Sequence, residues 1–161
     1  MIHSTAIISP EATIGHNVSI WHFAHIREGA MIGDNCIIGQ GVYIDKNVGI
    51  GANCKIQNYA CLYDGTLLED GVFVGPHAIL ANDRFPRAIN SEGARKEEKD
   101  WQRGTIWIKR GASVGAGAVI VPNVTIGEWA MIGAGTVVIG NIPEYGLVAG
   151  NPGELKGYVD R

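Results

Sequence analysis

Cysteine, aromatic residues and surplus basic charge are all scarce in this chain of 161 residues. Three cysteines are too few and too uneven for a disulfide-stapled framework, which argues against an oxidising compartment. Lys and Arg number 13 against 16 Asp and Glu, a net charge of −3, so no broad basic face for nucleic acid is expected. No apolar run approaches the roughly 20 residues that span a bilayer, and no stretch has the form of a signal peptide. These absences predict a cytoplasmic protein with neither nucleic acid nor membrane as partner. Five histidines are present, but His3, His16, His22 and His25 crowd the start of the chain, far from His77. A three-histidine metal site of the γ-carbonic anhydrase kind therefore has too few ligands in one place, and no metal is expected.

What the chain has is a period of six. Ile2, Ile8, Ile14, Ile20, Ile26, Ile32, Ile38, Ile44, Ile50, Ile56, Leu62, Leu68, Val74 and Leu80 stand six apart without a break. The frame returns with Ile108, Val114, Ile120, Ile126, Ile132 and Val138. A helix repeats every 3.6 residues and a half-buried strand every two, whereas six residues suit one short strand and its corner in a three-sided coil. Two residues before each aliphatic the side chain is small or β-branched, from Ala6, Ala12 and Val18 to Cys54, Thr66 and Ala78. Such residues fit a narrow interior. Three residues before it stands Gly or Asn at most corners, as at Asn17, Gly29, Asn35 and Gly41, where a positive φ costs these residues least. The prediction is an all-β, single-domain parallel β-helix of about six to seven turns, 18 residues each. Residues 1–81 form the first coils, 82–105 an inserted loop, 106–141 the last coils and 142–161 a C-terminal cap.

Residues 18 apart stack into columns. Cys36 and Cys54 share one interior column and read as small core residues, with Cys61 facing outward. Two outward columns, Arg27–Asp45–Tyr63–Ala81 and Glu28–Lys46–Asp64–Asn82, gather polar groups along one edge, and the chain leaves the coil at their end. Residues 82 to 104 hold 11 of the 29 charged residues, together with Phe85, Pro86 and Trp101. A long excursion from a regular scaffold is more often functional than accidental. The later coils are rich in Gly and Ala (Gly111 to Ala118, Gly133 to Gly135), which suits either a thin coil or a shallow wall for an extended ligand.

The hexads, with the closing Val148-Ala149-Gly150-Asn151-Pro152, resemble the left-handed β-helix (hexapeptide-repeat) acyltransferases. More narrowly, Trp21 to Ile26, Lys55 to Asn58, Leu62 to Gly65, Val74 to Pro76 and Asn82 to Arg87 are similar to the N-acetyltransferases of nucleotide-linked 3-amino sugars. The resemblance implies a cytoplasmic homotrimer with sites between neighbouring prisms, using acetyl-CoA and a UDP- or dTDP-linked amino sugar in surface polysaccharide (lipopolysaccharide) biosynthesis. It implies catalytic roles for Asn82, which would hold the amine, and for His77, either a corner residue or a base. Arg27, Tyr63, Asp64, Asp83, Arg87 and Arg95 become candidates for the nucleotide sugar, the last two for its phosphates. Lys109, Gly115, Ala116, Ala134, Ile139 and Lys156 become candidates for the cofactor. Relatives often read Thr-Lys-Asp where this chain has Ile139-Gly140-Asn141, and a basic residue at Glu154, so the CoA phosphates must find other cations such as Lys109, Arg110 or Lys156.

The O-acetyltransferases of the superfamily carry His-Pro where this chain has Phe85-Pro86. A hydroxyl acceptor needs a base worth roughly 10²–10⁴-fold, whereas a neutral amine is already nucleophilic. Phe85 therefore favours an amine acceptor attacking the thioester directly. An O-acetyltransferase of a small hydroxyl acceptor and a non-catalytic assembly prism are the competing readings.

Overall fold

The computed structural model describes residues 1–160. The chain winds as a left-handed parallel β-helix, a three-sided prism whose strands are two to five residues long. Its first face has seven strands, its second six and its third eight. Strands so short cannot satisfy their own backbone groups, so each pairs with the coil above and below. Ile8 lies beside Ile26, Ile26 beside Ile44, and Leu62 beside Leu80, all at an 18-residue offset. His25 N donates to Val42 O at 2.8 Å, and Tyr43 N to Ala60 O at 2.9 Å.

The aliphatic column is the core, with Ile20, Ile26, Ile38, Ile44, Ile56, Leu62, Val74, Leu80, Ile108 and Ile120 buried. Ala24, Val42, Ala60, Ala78 and Ala118 fill the narrower positions between. Cys36 and Cys54 are buried with them as free thiols, each directing S–H to a backbone carbonyl at 3.1 Å (Gly51 and Glu69). Cys61 is partly exposed, and burial pushes its thiol pKa up, away from a reactive thiolate.

The corners adopt positive φ at Asn17, Gly29, Asn35, Gly41, Asn47, Asn53, Gly65 and Gly71. Phe23, Tyr59, His77, Trp129 and Tyr145 do so as well, which the Gly/Asn rule misses. A left-handed L-residue costs on the order of 1–2 kcal/mol. Contact between coils offsets it: the Tyr59 ring lies over Gly41, and that of Trp129 over Gly111, where any Cβ would collide with the ring.

Between Leu68 and Ile106 the inter-coil offset changes from 18 to 40, seen at Thr66 beside Ile106 and Ile79 beside Val119, so 22 residues are added without disturbing the frame. They form a loop closed at its neck, where Gly104 N donates to Asn82 O at 2.8 Å. At the other end the last coil is shorter, Ile132 pairing with Val148 at an offset of 16. The strand Gly146–Ala149 then doubles back through a turn with a cis Asn151–Pro152 peptide into the antiparallel strand Glu154–Tyr158, so the expected polar tail is largely a strand that finishes the third face.

Truncating Ile44 to Ala, at the centre of the aliphatic column, should cost about 2–5 kcal/mol. Urea unfolding reads this directly, and an unchanged midpoint would contradict the core assignment.

Candidate functional site

The loop springs from the edge between the first and second faces, where the two polar columns run. Most of those polar groups engage one another. Asp45 is buried and accepts from Arg27 Nη1 (3.0 Å), Tyr43 Oη (3.1 Å), Lys46 N (2.8 Å) and Asp64 N (3.2 Å). Arg27 also pairs with Glu28 at 2.6 Å. Asp64 is only 6% exposed, and Arg103, from the returning end of the loop, pairs with its carboxylate at 2.8 Å. Lys46 meets Glu98 of the loop at 2.6 Å; each holds the other charged, Lys46 shifted up and Glu98 down, though such exposed pairs add little stability. The Tyr63 ring stands 5.7 Å from that of Tyr43, which meets His25 edge-on at 5.5 Å, and burial raises the pKa of both phenols.

Asn82 sits where the loop departs. Its Nδ2 donates to Asp64 O at 3.1 Å. A carbonyl can only accept, so the amide orientation is fixed by its partner, and Oδ1 is the atom that remains for a ligand. That ligand must be a donor. Asp64 and Gly65 thus seat both ends of the loop, Asn82 from one side and Arg103–Gly104 from the other, and Gly65 has no Cβ to strike Gly104 O.

Two cavities flank the start of the loop. One, of about 410 Å³, is lined by Arg84, Lys96, Asp100, Trp101 and Arg103 among others; the other, of about 330 Å³, has an apolar floor of Ala81, Val121, Pro122 and Ile139. Asp83, Arg84 and Phe85 line both, and Asp83 fixes the turn by accepting from Phe85 N at 2.9 Å. Arg87 and Arg95 are exposed on the outer part of the loop and line neither cavity; Arg84, Lys96 and Arg103 supply the cations there. Sequence reading missed these three. The one available signal was that residue 103 re-enters the frame on the Asp64 edge.

His77 occupies the opposite edge of the first face, between the third face and the strand Ile79–Leu80. It is exposed, has φ +58°, and stacks on Tyr59 at 5.3 Å. Gly115, Ala116 and Ala134 continue along this edge, where Gly117 and Gly135 have open space on the side a Cβ would occupy. Five extended residues at about 3.3 Å each separate His77 from Asn82, on the order of 15 Å. One protomer therefore does not bring the two together. Nor does it gather the cofactor candidates: Ile139 lies on the loop edge, Lys109 stands over Trp107 at 5.2 Å, and Lys156 pairs with Glu154 at 2.8 Å. Among the described residues no three His, Cys, Asp or Glu side chains cluster as a metal site, and no helix is long and apolar enough to cross a membrane.

Comparison with known proteins adds to this geometry. The bacterial transferase hexapeptide family (six repeats) matches residues 1–46 and 105–140. A dTDP-3-amino-3,6-dideoxy-alpha-D-galactopyranose 3-N-acetyltransferase from Aneurinibacillus thermoaerophilus is 43% identical over 158 residues, 98% of this chain and 78% of that protein. The crystal structure of PerB from Caulobacter crescentus, in complex with CoA and GDP-perosamine, matches 97% of this chain with a TM-score of 0.51 and 28% identity. The present chain spans 56% of PerB. A variant of AntD, an N-acyltransferase from Bacillus cereus in complex with dTDP-4-amino-4,6-dideoxyglucose and coenzyme A, matches 98% of this chain and 83% of its own at a TM-score of 0.62; at 23% identity that likeness concerns the fold alone.

Replacing Arg103 by Gln leaves the buried Asp64 carboxylate without its guanidinium and should cost about 1–3 kcal/mol. Limited proteolysis should then cut within residues 82–104 faster than in the unaltered protein. Equal cutting rates would mean that this pair does not hold the loop.

Proposed function

Since the chain belongs to the bacterial transferase hexapeptide family, we propose that it is a CoA-dependent N-acetyltransferase acting on the amino group of a nucleotide-linked 3-amino sugar. The observation that carries this reading is the 43% identity, over nearly the whole chain, to a 3-N-acetyltransferase of a dTDP-linked 3-amino sugar. The fixed orientation of Asn82 agrees with it. An amine N–H can donate to Asn82 Oδ1, which turns the nitrogen lone pair away from the amide and toward the acyl carbon. Phe85, 76% exposed at the loop cavities, brings no proton acceptor there, and a neutral amine requires none in order to attack.

Acetyl-CoA supplies an activated acyl carbon and a sulfur leaving group able to take the amine proton. Its extended arm fits the edge that is open at Gly117 and Gly135, where the backbone can be approached closely. An amide N–H from this edge would stabilise the oxygen that gains charge as the amine attacks. Arg84 and Arg103 suit the nucleotide phosphates better placed than Arg87 and Arg95, since they line the larger loop cavity. With His77 and Asn82 on opposite edges of one face, the site is completed between neighbouring prisms, the His77 edge of one meeting the loop edge of the next. The assembly is a homotrimer, working in the cytoplasm, and its product enters surface polysaccharide assembly.

Light scattering should give a trimer at micromolar concentration; an active, stable monomer would refute the shared site. For the chemistry, Asn82→Ala should lose more turnover than His77→Ala, which should lose less than about tenfold, below the range for a general base. The acid limb of the pH profile should follow the substrate ammonium and move when an amino sugar of different basicity is supplied. A loss of about 10³-fold in His77→Ala with Asn82→Ala nearly unaffected would make His77 the base.

A further inference from the structure

The two ends of the prism are finished differently. At one, residues 150–153 cross the last coil: Val137 N donates to Gly150 O at 3.1 Å and Gly153 N donates to Val137 O at 2.8 Å, while Glu154–Tyr158 closes the third face. At the other, residues 1–18 form the outer edge of all three faces, through Ile7–Ile8, Thr13–Ile14 and the bridge of Ile2 to Ile20. The N–H groups of His3, Ile7, Ser9, Thr13 and Gly15 all donate to the second coil. Successive amides of a strand point to opposite sides, so the N–H and C=O of Ile2, Ile8 and Ile14 face outward along the axis, where no described residue meets them. The side chains there are equally open. Ile2 is 53% exposed and Ala6, Ile8, Ala12 and Ile14 are only partly buried, whereas Ile20, Ala24, Ile26, Ala30 and Ile32, their equivalents on the second coil, are at most 2% exposed. Exposed strand edges are ordinarily guarded by charge and terminal repeats by a polar outer face, yet residues 1–18 hold no Lys or Arg and Glu11 as their one carboxylate side chain.

We propose that this end is an interface with a second copy of the chain, stacked head to head about a twofold axis. Turning a three-sided coil end over end reverses every strand, so the facing strands run antiparallel. Opposed residues of an antiparallel hydrogen-bonded pair exchange both backbone bonds, which requires N–H and C=O on the same side, as at Ile8. With the axis through the first face, Ile8 opposes its own counterpart, and Ile2 and Ile14 oppose each other. Their side chains then close on one another as the core column does within a chain. Head-to-tail stacking, which would grow a filament, is obstructed by residues 150–153 across the far end. The inference rests on the proposed trimer, not on its chemistry. A side of six residues at about 3.3 Å each gives an end of roughly 170 Å², too little to hold two single chains, whereas three ends acting together bury about 1,000 Å², the lower bound for a specific interface. In the proposed ring the prisms run side by side with the first face toward the ring axis, so the three ends lie level and the twofold axis is compatible with the threefold. The contact joins two trimers and forms reversibly, above the micromolar range.

Sedimentation equilibrium of the full chain should show trimers passing to hexamers as concentration rises, with no further growth. Ile8→Pro removes an outward N–H that no bond within the chain uses, and Ile2→Lys places a charge on the end. Each should raise the concentration of half-association at least about tenfold and leave the trimer intact, and Ile2→Lys decides the matter where Ile8→Pro fails to fold. Ile8→Cys should cross-link chains in pairs on air oxidation, above the level of the unaltered protein, because opposed Cα atoms of such a pair stand about 5.5 Å apart, within disulfide reach; Thr13→Cys, opposed by His3, should not. A trimer that persists alone at every soluble concentration would overturn the proposal, as would growth beyond six chains or a hexamer indifferent to both Ile8→Pro and Ile2→Lys. A two-chain species that Ile2→Lys dissociates, with no three-chain species, would uphold the end contact and refute the trimer.

Discussion

The backbone hydrogen bonds between residues 18 apart are the constraint on which the rest depends. No strand of two or three residues is stable alone, and each is held because its N–H and C=O groups meet those of the adjacent coil. The register then aligns every side chain with its equivalents above and below, making columns of Ile and Ala inside and single-character edges outside. It also limits where sequence can be added. An insertion must leave and return at one corner with the frame intact, as at Asn82 and Gly104, whose backbone bond at 2.8 Å closes the neck. Beyond that neck, loop length is inexpensive, because closure entropy rises only with the logarithm of length.

This explains what was legible. The aliphatic period of six and the small residues two places earlier determine fold, coil length and core, because each inward position is repeated many times and any exception would disrupt its neighbours. Corners were legible where Gly or Asn marks them. At Tyr59 and Trp129 the marker lies 18 residues earlier, in Gly41 and Gly111, whose missing side chains leave room for a ring. A reader looking only at the corner residue sees a bulky aromatic in an unfavourable conformation; the compensation sits on another coil.

The candidate site was legible only as far as the register extends. Columns correctly grouped Asp45, Lys46, Asp64 and Asn82 on one edge, but did not show that Asp45 and Asp64 are buried and engaged by Arg27 and Arg103. The Asp64 carboxylate ties the returning end of the loop through Arg103 and its backbone carbonyl orients Asn82, while Asp45 ties Arg27 and the Asp64 amide. Within residues 82 to 104 there is no repeat, so nothing in the order of residues says that Arg84 faces a cavity while Arg87 faces solvent. Composition identifies such a loop as charged; only its packing against the prism selects which charges are useful.

The prism separates chemistry by edge. The loop edge carries charge and the Asn82 acceptor; the opposite edge carries a neutral cleft, His77 and a bare Gly/Ala run. A flat face of four residues keeps them apart, and the β-ladder is too regular to bend one edge toward the other. Apposition of unlike edges is a heterologous contact, which closes into a ring when the rotation between neighbours allows. In such a ring each protomer offers each edge once, so sites equal protomers in number. A site that needs both edges is therefore one that the proposed trimer can assemble and a single folded chain cannot, with neither edge having to deform.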